Sequence, residues 1–495
     1  MAVRVDLRTT ASLLGTVLKG LAWPLGVLAL VALGYGESPV PFAAPLVPSV
    51  VLGEGLERLE RGDTGPREAF LLVALAWLSV ALVGSIPFVL AGTGVLAHPV
   101  NALFESMSGI TTTGATVILA FEVHSRSILL WRSVLQWLGG LGILVLAVGL
   151  LSRLSVSGAQ LMETETQTRN VTKLTPRIAG TARLLGGLYV GLTALLVLVL
   201  LGLRVVGMAP NMGPYNAVAH ALTTVSTAGF SPEPASVGAF SPAVQWVVIL
   251  FMIVGATNFV LLYYLAHGDP SRLRESEEFR FYLAILASAT GLIVAALAFE
   301  EGVSGLDTVR HAVFQAVSIF TTTGYATVDF DAWPPLARHV LLIGMFVGGM
   351  AGSTTCSIKT LRWLVVAKAF RRDLFTAIHP EAIRPIRLSG RPIDEGTIRD
   401  VYTYTLVSVV IFAFLTVFVI VDAARVGLAL GEFEAMGAAA STFLNIGPAF
   451  GIAGPYGSYE SFPVSTKLVM IVLMWVGRIE IVPVLVLFTA AFWRS

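Results

Sequence analysis

The segment SIFTTTGYATVD, Ser318 to Asp329, lies between two long apolar runs, and related segments occur three more times in the chain. With Gly324 as anchor, the matching glycines are Gly114 in FESMSGITTTGAT, Gly229 in VAHALTTVSTAGFS and Gly447 in AMGAAASTFLNIGPAF. Twelve positions before each glycine stands Ala102, Ala217, Ala312 or Ala435, and six before it Ser108, Thr223, Ser318 or Ser441. Two before it are Thr112, Thr227, Thr322 and Asn445, all polar, and four before it is always apolar. The anchors are 115, 95 and 123 residues apart, which leaves room for two membrane spans and their connections in each copy. A repeat of this kind dictates a fold assembled from copies of one unit.

Hydrophobic residues make up 55% of the chain and charged residues only 13%, against roughly 25% charged in a soluble domain. A membrane helix needs about 20 mostly apolar residues. Such runs lie near 13–35, 69–91, 127–151, 180–206, 242–266, 281–299, 335–351, 402–424 and 465–490, with 38–53 a weaker candidate. Strand alternation is absent, so the expected fold class is an all-α polytopic membrane protein rather than a barrel. The run after Arg4 and Arg8 reads as a retained first span, because GYGESPVP follows it instead of a small-residue cleavage pattern.

Basic residues concentrate in the connections 152–179 (Arg153, Arg169, Lys173, Arg177), 267–280 (Arg272, Arg274, Arg280) and 359–399. The positive-inside rule places these on the cytoplasmic side of a multi-pass membrane protein. A net charge of +1 suggests no nucleic-acid partner, and the lone Cys356 excludes an intrachain disulfide. There is no HExxH pair, no GxSxG elbow and no phosphate loop with lysine, so the chain does not read as an enzyme.

Each Thr-Gly stretch follows about a dozen helix-compatible residues, too few to cross a bilayer. A short helix that dips in and a non-helical strand that returns is the alternative. Irregular backbone at that depth is tolerated only when buried in protein or lining water. Four such hairpins imply a common axis with water on it. An ion on that axis must exchange hydration oxygens for protein oxygens, and rings of backbone carbonyls do this in potassium-selective filters. Glycine reaches the required positive φ without steric penalty. The carbonyl end of each short helix adds partial negative charge.

The pieces ALFESMSGITTTGAT, WRSVLQWLGGLGI, VSTAGFS, GATNF, FTTTGYAT, GGMAGSTTCSIKTLR, NIGPAFG and WVGRIEIVPVL together resemble the TrkH/KtrB/HKT superfamily of potassium transporters, near its bacterial TrkH branch. The resemblance spans about the whole length. It implies four helix, pore loop, helix repeats in pseudo-fourfold arrangement around one pore, at 63–152, 153–268, 269–380 and 381–495, after an N-terminal helix pair at 1–62. It implies K+ as the transported ion, with filter carbonyls at Thr112, Thr113, Thr227, Ala228, Thr322, Thr323, Asn445 and Ile446 beside Gly114, Gly229, Gly324 and Gly447. It also implies placement in the bacterial inner membrane, a homodimer and a TrkA/KtrA-like cytoplasmic regulatory subunit carrying NAD(H) or ATP/ADP. Glycine at all four anchors is the pattern associated with potassium over sodium. Two departures stand out: Ala228 replaces a usual glycine, and the third repeat reads GSTTCS where a run of glycines is common after GST. A less selective Na+/K+ transporter is the alternative within this class, and a non-conducting membrane scaffold the alternative outside it.

The third inner span is interrupted by GGMAGSTTCS, with Gly348, Gly349, Gly352, Ser353 and Thr354. Three glycines weaken a helix by about 1 kcal/mol each relative to alanine. Two readings fit: an intramembrane gating loop ending near Lys359, or small-residue helix packing through the GxxxG spacing of Gly344, Gly348 and Gly352. Lys359 itself is either an electrostatic element of the pore or an anchor at the cytoplasmic end. Arg478 in WVGRIEIVP is a charge at membrane depth. It faces the pore below the filter or pairs with another helix; Glu480, two residues on, does not share its helix face. The basic, proline-containing stretch 368–399 reads as a docking surface for the regulatory subunit or the dimer mate.

Overall fold

The computed structural model describes residues 5–149, 178–300 and 305–493. The basic connection at 152–179, with Arg153, Arg169, Lys173 and Arg177, lies outside the described residues apart from the start of the next helix at Ile178. Among the described residues, six helices are long and apolar enough to cross a membrane, and two further crossings are sharply bent helix pairs.

One order of elements recurs four times. An outer helix (Pro66–Ala91, Ile178–Val205, Glu277–Glu300, Glu395–Arg425) precedes a short pore helix (Pro99–Ile110, Pro214–Val225, Leu306–Phe320, Glu432–Phe443). An extended segment and an inner helix follow, the inner helices beginning at Arg126, Pro242, Pro335 and Val464. The pore helices have 12, 12, 15 and 12 residues. At 1.5 Å per residue a 12-residue helix reaches only about 18 Å, short of a bilayer core of roughly 30 Å. Proline at the first turn starts two of them, and at the fourth the Glu434 carboxylate accepts from Gly431 N at 3.4 Å, so their entry points are written locally.

The helices Leu7–Gly34 and Val40–Glu57 form a pair ahead of the repeats. They touch where a Cβ on Gly15 would lie 2.6 Å from the Gly53 carbonyl oxygen, the close approach that small residues permit between apolar helices. Lys19 ties the pair to Glu54 and Glu57 at 2.9 and 2.6 Å. The weak candidate at 38–53 is this second helix; it contains Pro45 and Pro48 and is not among the six long spans.

Two apolar runs that read as continuous spans are broken. The run 242–266 bends by 109° between Gly255 and Phe259, and the run 465–490 bends by 114° between Arg478 and Ile481. Hydropathy is blind to the cause of the first break: Asn258 is an N-cap whose Oδ1 accepts from Val260 N at 2.8 Å and Leu261 N at 3.3 Å. At the second, Glu480 adopts φ +68°. The third inner run is also interrupted, by the non-helical residues 345–359 between Pro335–Gly344 and Thr360–Ile378.

Beyond Thr360–Ile378 the chain makes a two-residue hairpin, Arg387–Leu388 pairing with Arg391–Pro392. Its turn, Ser389 and Gly390, has φ +47° and +83°, as a tight hairpin turn requires. Leu361, Leu364, Ile386, Leu388, Ile393 and Ile398 form a satellite apolar cluster that includes Ala351 of the broken segment. The connections after Ala266 and after Lys359 meet on this side of the molecule, since Lys368 pairs with Glu277.

Candidate functional site

All four pore helices end in the same way. The backbone N–H of Thr113, Ala228, Thr323 and Ile446 donates to the carbonyl five residues earlier, of Ser108, Thr223, Ser318 and Ser441, at 2.9, 3.0, 2.9 and 2.9 Å. This is the Schellman closure, which needs a left-handed residue just past the helix, usually glycine. Here Thr112, Thr227, Thr322 and Asn445 take it, at φ +54°, +50°, +54° and +58°. A β-branched residue in that region stores roughly 1–3 kcal/mol, and such strain concentrates at functional sites. The anchor glycines two residues on are again left-handed, at φ +79° to +110°, with the intervening residue of ordinary sign. Alternating handedness turns successive carbonyls toward one side instead of alternating them as in a strand.

The four segments close into a ring. A Cβ built on Gly114 would lie 2.4 Å from the Ala228 carbonyl oxygen, on Gly229 1.9 Å from that of Thr323, on Gly324 2.1 Å from that of Ile446, and on Gly447 2.8 Å from that of Thr113. Each quarter therefore touches the next in order, and the fourth returns to the first. Glycine is required at these positions because a neighbouring carbonyl occupies the space of a side chain. A cavity of about 80 Å³ opens on one side of the ring and is lined by all four anchor glycines, with Pro448 and Tyr456.

Behind the ring, the equivalent positions Glu105, His220 and Gln315 are all fully buried and hydrogen-bonded to the segment that follows the glycine. Glu105 accepts from Thr116 Oγ1 at 2.8 Å and Val117 N at 2.9 Å, and pairs with Arg132 at 2.7 Å. Arg132 also donates to Ser231 O at 3.1 Å and lies 4.1 Å from the Phe230 ring centre, so it joins the first quarter to the second. His220 places its ring nitrogens 2.8 Å from Asn216 O and 3.0 Å from Ser231 Oγ, which occupies it as a packing group.

A second fourfold set of glycines escaped the sequence reading. A Cβ on Gly139, Gly255, Gly344 or Gly477 of the inner helices would lie 2.1 Å from Ile110 O, 3.2 Å from Val225 O, 2.3 Å from the Phe320 ring and 2.0 Å from Phe443 O. Their partners are the four apolar residues that precede the anchors by four positions. The inner helices press against the pore-helix ends there, and variable spacing from the anchors hid the repetition.

On the side opposite the cavity, residues 345–359 lie across the ring. Thr354 Oγ1 is 3.0 Å from Thr227 Oγ1 and donates to Gly255 O at 3.0 Å. Cys356 N donates to Thr322 Oγ1 at 3.0 Å, while its Sγ is 3.7 Å from Thr112 Oγ1. Arg478, 2% exposed, donates to Thr354 O at 2.9 Å, Cys356 Sγ at 2.8 Å and Gly139 O at 2.8 Å. It has no carboxylate within ion-pair distance among the described residues; Glu480 instead pairs with Arg362 at 2.7 Å. The segment is thus tied to all four quarters. Gly348 and Gly352 lie outside any helix, so a GxxxG helix seam does not form. A Cβ on Gly348 would meet Cys356 O at 2.1 Å and one on Gly349 would meet Ala256 Cβ at 2.8 Å. Ser353 Oγ donates to Met350 O at 2.6 Å, and Lys359 is turned back onto Thr355, whose Oγ1 accepts from it at 3.0 Å. Thr355, Cys356 and Ser357, the residues in place of a glycine run, all bond through their side chains, Ser357 to Met345 O at 2.6 Å.

Four re-entrant hairpins closing on one axis in an apolar helical bundle define a membrane protein of the pore-containing cation transporter class. The family model for TrkH, a cation transport protein, matches residues 62–495. The Trk system potassium uptake protein TrkH of Halomonas elongata is 34% identical over 499 residues, covering 100% of both chains. The TrkH protein of Escherichia coli K12 is 34% identical, covering 88% of each chain. The crystal structure of the potassium transporter TrkH from Vibrio parahaemolyticus superposes with a TM-score of 0.87 at 31% identity, covering 99% of this chain and 100% of that one. The chain belongs to the TrkH family of cation transport proteins, which are transporters and not enzymes.

Proposed function

We propose that this protein takes up potassium across the bacterial inner membrane through a filter formed by Thr112–Gly114, Thr227–Gly229, Thr322–Gly324 and Asn445–Gly447. The observation that carries the proposal is the cyclic contact of each anchor glycine with the next quarter's carbonyl, which sets four carbonyl dipoles around one axis. A relative at 34% identity over the full length is named a potassium uptake protein, which favours K+ as the cargo.

The segment 345–359, with Gly348, Gly349, Gly352, Ser353, Thr354 and Lys359, acts as the gate, and Arg478 holds it shut while opposing resident cations. The gate is linked to a cytoplasmic docking surface. Ala351 belongs to the same apolar cluster as Leu361, Leu364 and the hairpin, while Phe370, Leu374 and Ile378 of the adjoining helix are exposed beside the basic residues of 368–399. A TrkA/KtrA-like subunit carrying NAD(H) or ATP/ADP pulls on that surface, and two copies of the chain form a homodimer.

Rubidium uptake into proteoliposomes tests the reading. The wild-type protein is expected to accumulate radioactive rubidium in preference to sodium. Arg478→Ala, which loses three hydrogen bonds to the loop and the first inner helix, is expected to conduct at least about tenfold faster without any partner, since two bonds to a charged donor exceed 1.4 kcal/mol. Absence of rubidium uptake by both the wild-type protein and Arg478→Ala contradicts the proposal.

A further inference from the structure

The four strands of the ring are held by different means. In the first and third quarters the hydroxyls of Thr111 and Thr113, and of Thr321 and Thr323, bond to each other at 2.7 Å. In the fourth, Asn445 Nδ2 donates to Thr113 Oγ1 at 2.7 Å and Met474 O at 2.9 Å. The second quarter has Ser226 and Ala228 at the corresponding positions and cannot make the hydroxyl pair. It is held from outside. Gln136, fully buried on the first inner helix, donates from Nε2 to Ala228 O at 2.5 Å and accepts from Phe230 N at 2.9 Å, so its amide straddles Gly229.

Among the described residues no equivalent exists elsewhere in the ring. Gln136 stands three residues before Gly139, and the residues three before Gly255, Gly344 and Gly477 are Met252, Leu341 and Met474, all buried and unable to donate. Among the described residues, no side-chain N–H reaches the ring carbonyls of Thr113, Thr323 or Ile446 in this way.

We propose that Gln136 is a specificity-determining positioning residue, which fixes the Ala228 carbonyl in the ring and so sets the preference among monovalent cations. The inference rests on the filter reading above. A carbonyl oxygen has two acceptor sites. Gln136 takes one and leaves the other for the ion on the axis. Bonding at both ends of the amide also stops the Ala228 peptide from swinging inward onto a smaller ion. The strand that lacks its own hydroxyl pair borrows an amide from the neighbouring quarter.

The test is rubidium uptake into proteoliposomes against increasing sodium, with wild type, Gln136→Leu and Met252→Leu. Gln136→Leu is expected to take up rubidium in the absence of sodium, but to be half-inhibited by roughly five- to tenfold less sodium, the equivalent of one lost hydrogen bond. Met252→Leu, at the equivalent position without an anchor, is expected to keep the wild-type sodium response. If Gln136→Leu elutes as an aggregate, Gln136→Met keeps the length and volume of the side chain while removing both amide hydrogen bonds, and is expected to show the same loss. Wild-type sodium sensitivity in the folded variant overturns the role of Gln136. Absence of rubidium uptake by both the wild type and Arg478→Ala overturns the filter reading instead.

Discussion

Gly324→Ser is expected to remove the preference for rubidium over sodium. The new Cβ would lie 2.1 Å from the Ile446 carbonyl oxygen and 2.8 Å from Pro448 Cδ, and neither belongs to a flexible side chain that moves aside cheaply. The residue would also be held at φ +80°, a conformation that costs a non-glycine residue roughly 1–3 kcal/mol. If that strain is relieved by displacing the Ile446 carbonyl, binding at the ring changes roughly five- to 150-fold. The anticipated outcome in a strain lacking potassium uptake is failure to grow at low external potassium, with protein present in the membrane at wild-type level. Growth equal to wild type would contradict the steric role assigned to Gly324.

The second large effect is on stability. Arg132 and Glu105 are 1% and 0% exposed, and Glu105 also holds the backbone of Val117 behind the first strand. Arg132→Met leaves that carboxylate buried without its counter-charge, a change that costs about 3–5 kcal/mol. Adding Glu105→Gln removes the stranded charge and keeps an acceptor for Val117 N, so the double variant should recover more than half of the loss. Thermal denaturation of the detergent-solubilised proteins followed by size exclusion measures both. Equal midpoints for wild type and Arg132→Met, or no recovery in the double variant, would show that the pair does not carry the strand.

The architecture was legible because the same polar pattern occurs four times and no soluble or single-span fold explains four interrupted hairpins. Glu105, His220 and Gln315 share one repeat position, nine before the anchor glycine, and that alignment was also legible in the sequence. Breaks in the second and fourth inner helices were not, because hydropathy averages over the residues that make them. Asn258 before FVLLYYLA was a capping signal in plain view. Glu480 gave none, as its left-handed backbone and its bond to Arg362 depend on a residue 118 positions away. Gln136 was invisible for a related reason. A glutamine in an apolar helix has many uses, and only the ring shows that its amide spans Gly229.

The departure at 355–357 has a physical reading that sequence could not supply. A glycine run at 355–357 would leave those three residues no side chains with which to hold a position. Thr355, Cys356 and Ser357 each make a contact that glycine lacks, to Lys359, Arg478 and Met345. The loop is therefore fastened at three successive residues, next to the carbonyl contacts made by Arg478.

Rubidium anomalous scattering from crystals of the protein grown in rubidium salts addresses the central claim most directly. The account predicts peaks on the axis, within coordination distance of the carbonyl oxygens of Thr113, Ala228, Thr323 and Ile446. Rubidium bound only away from that axis, with the four strands unchanged, would contradict it.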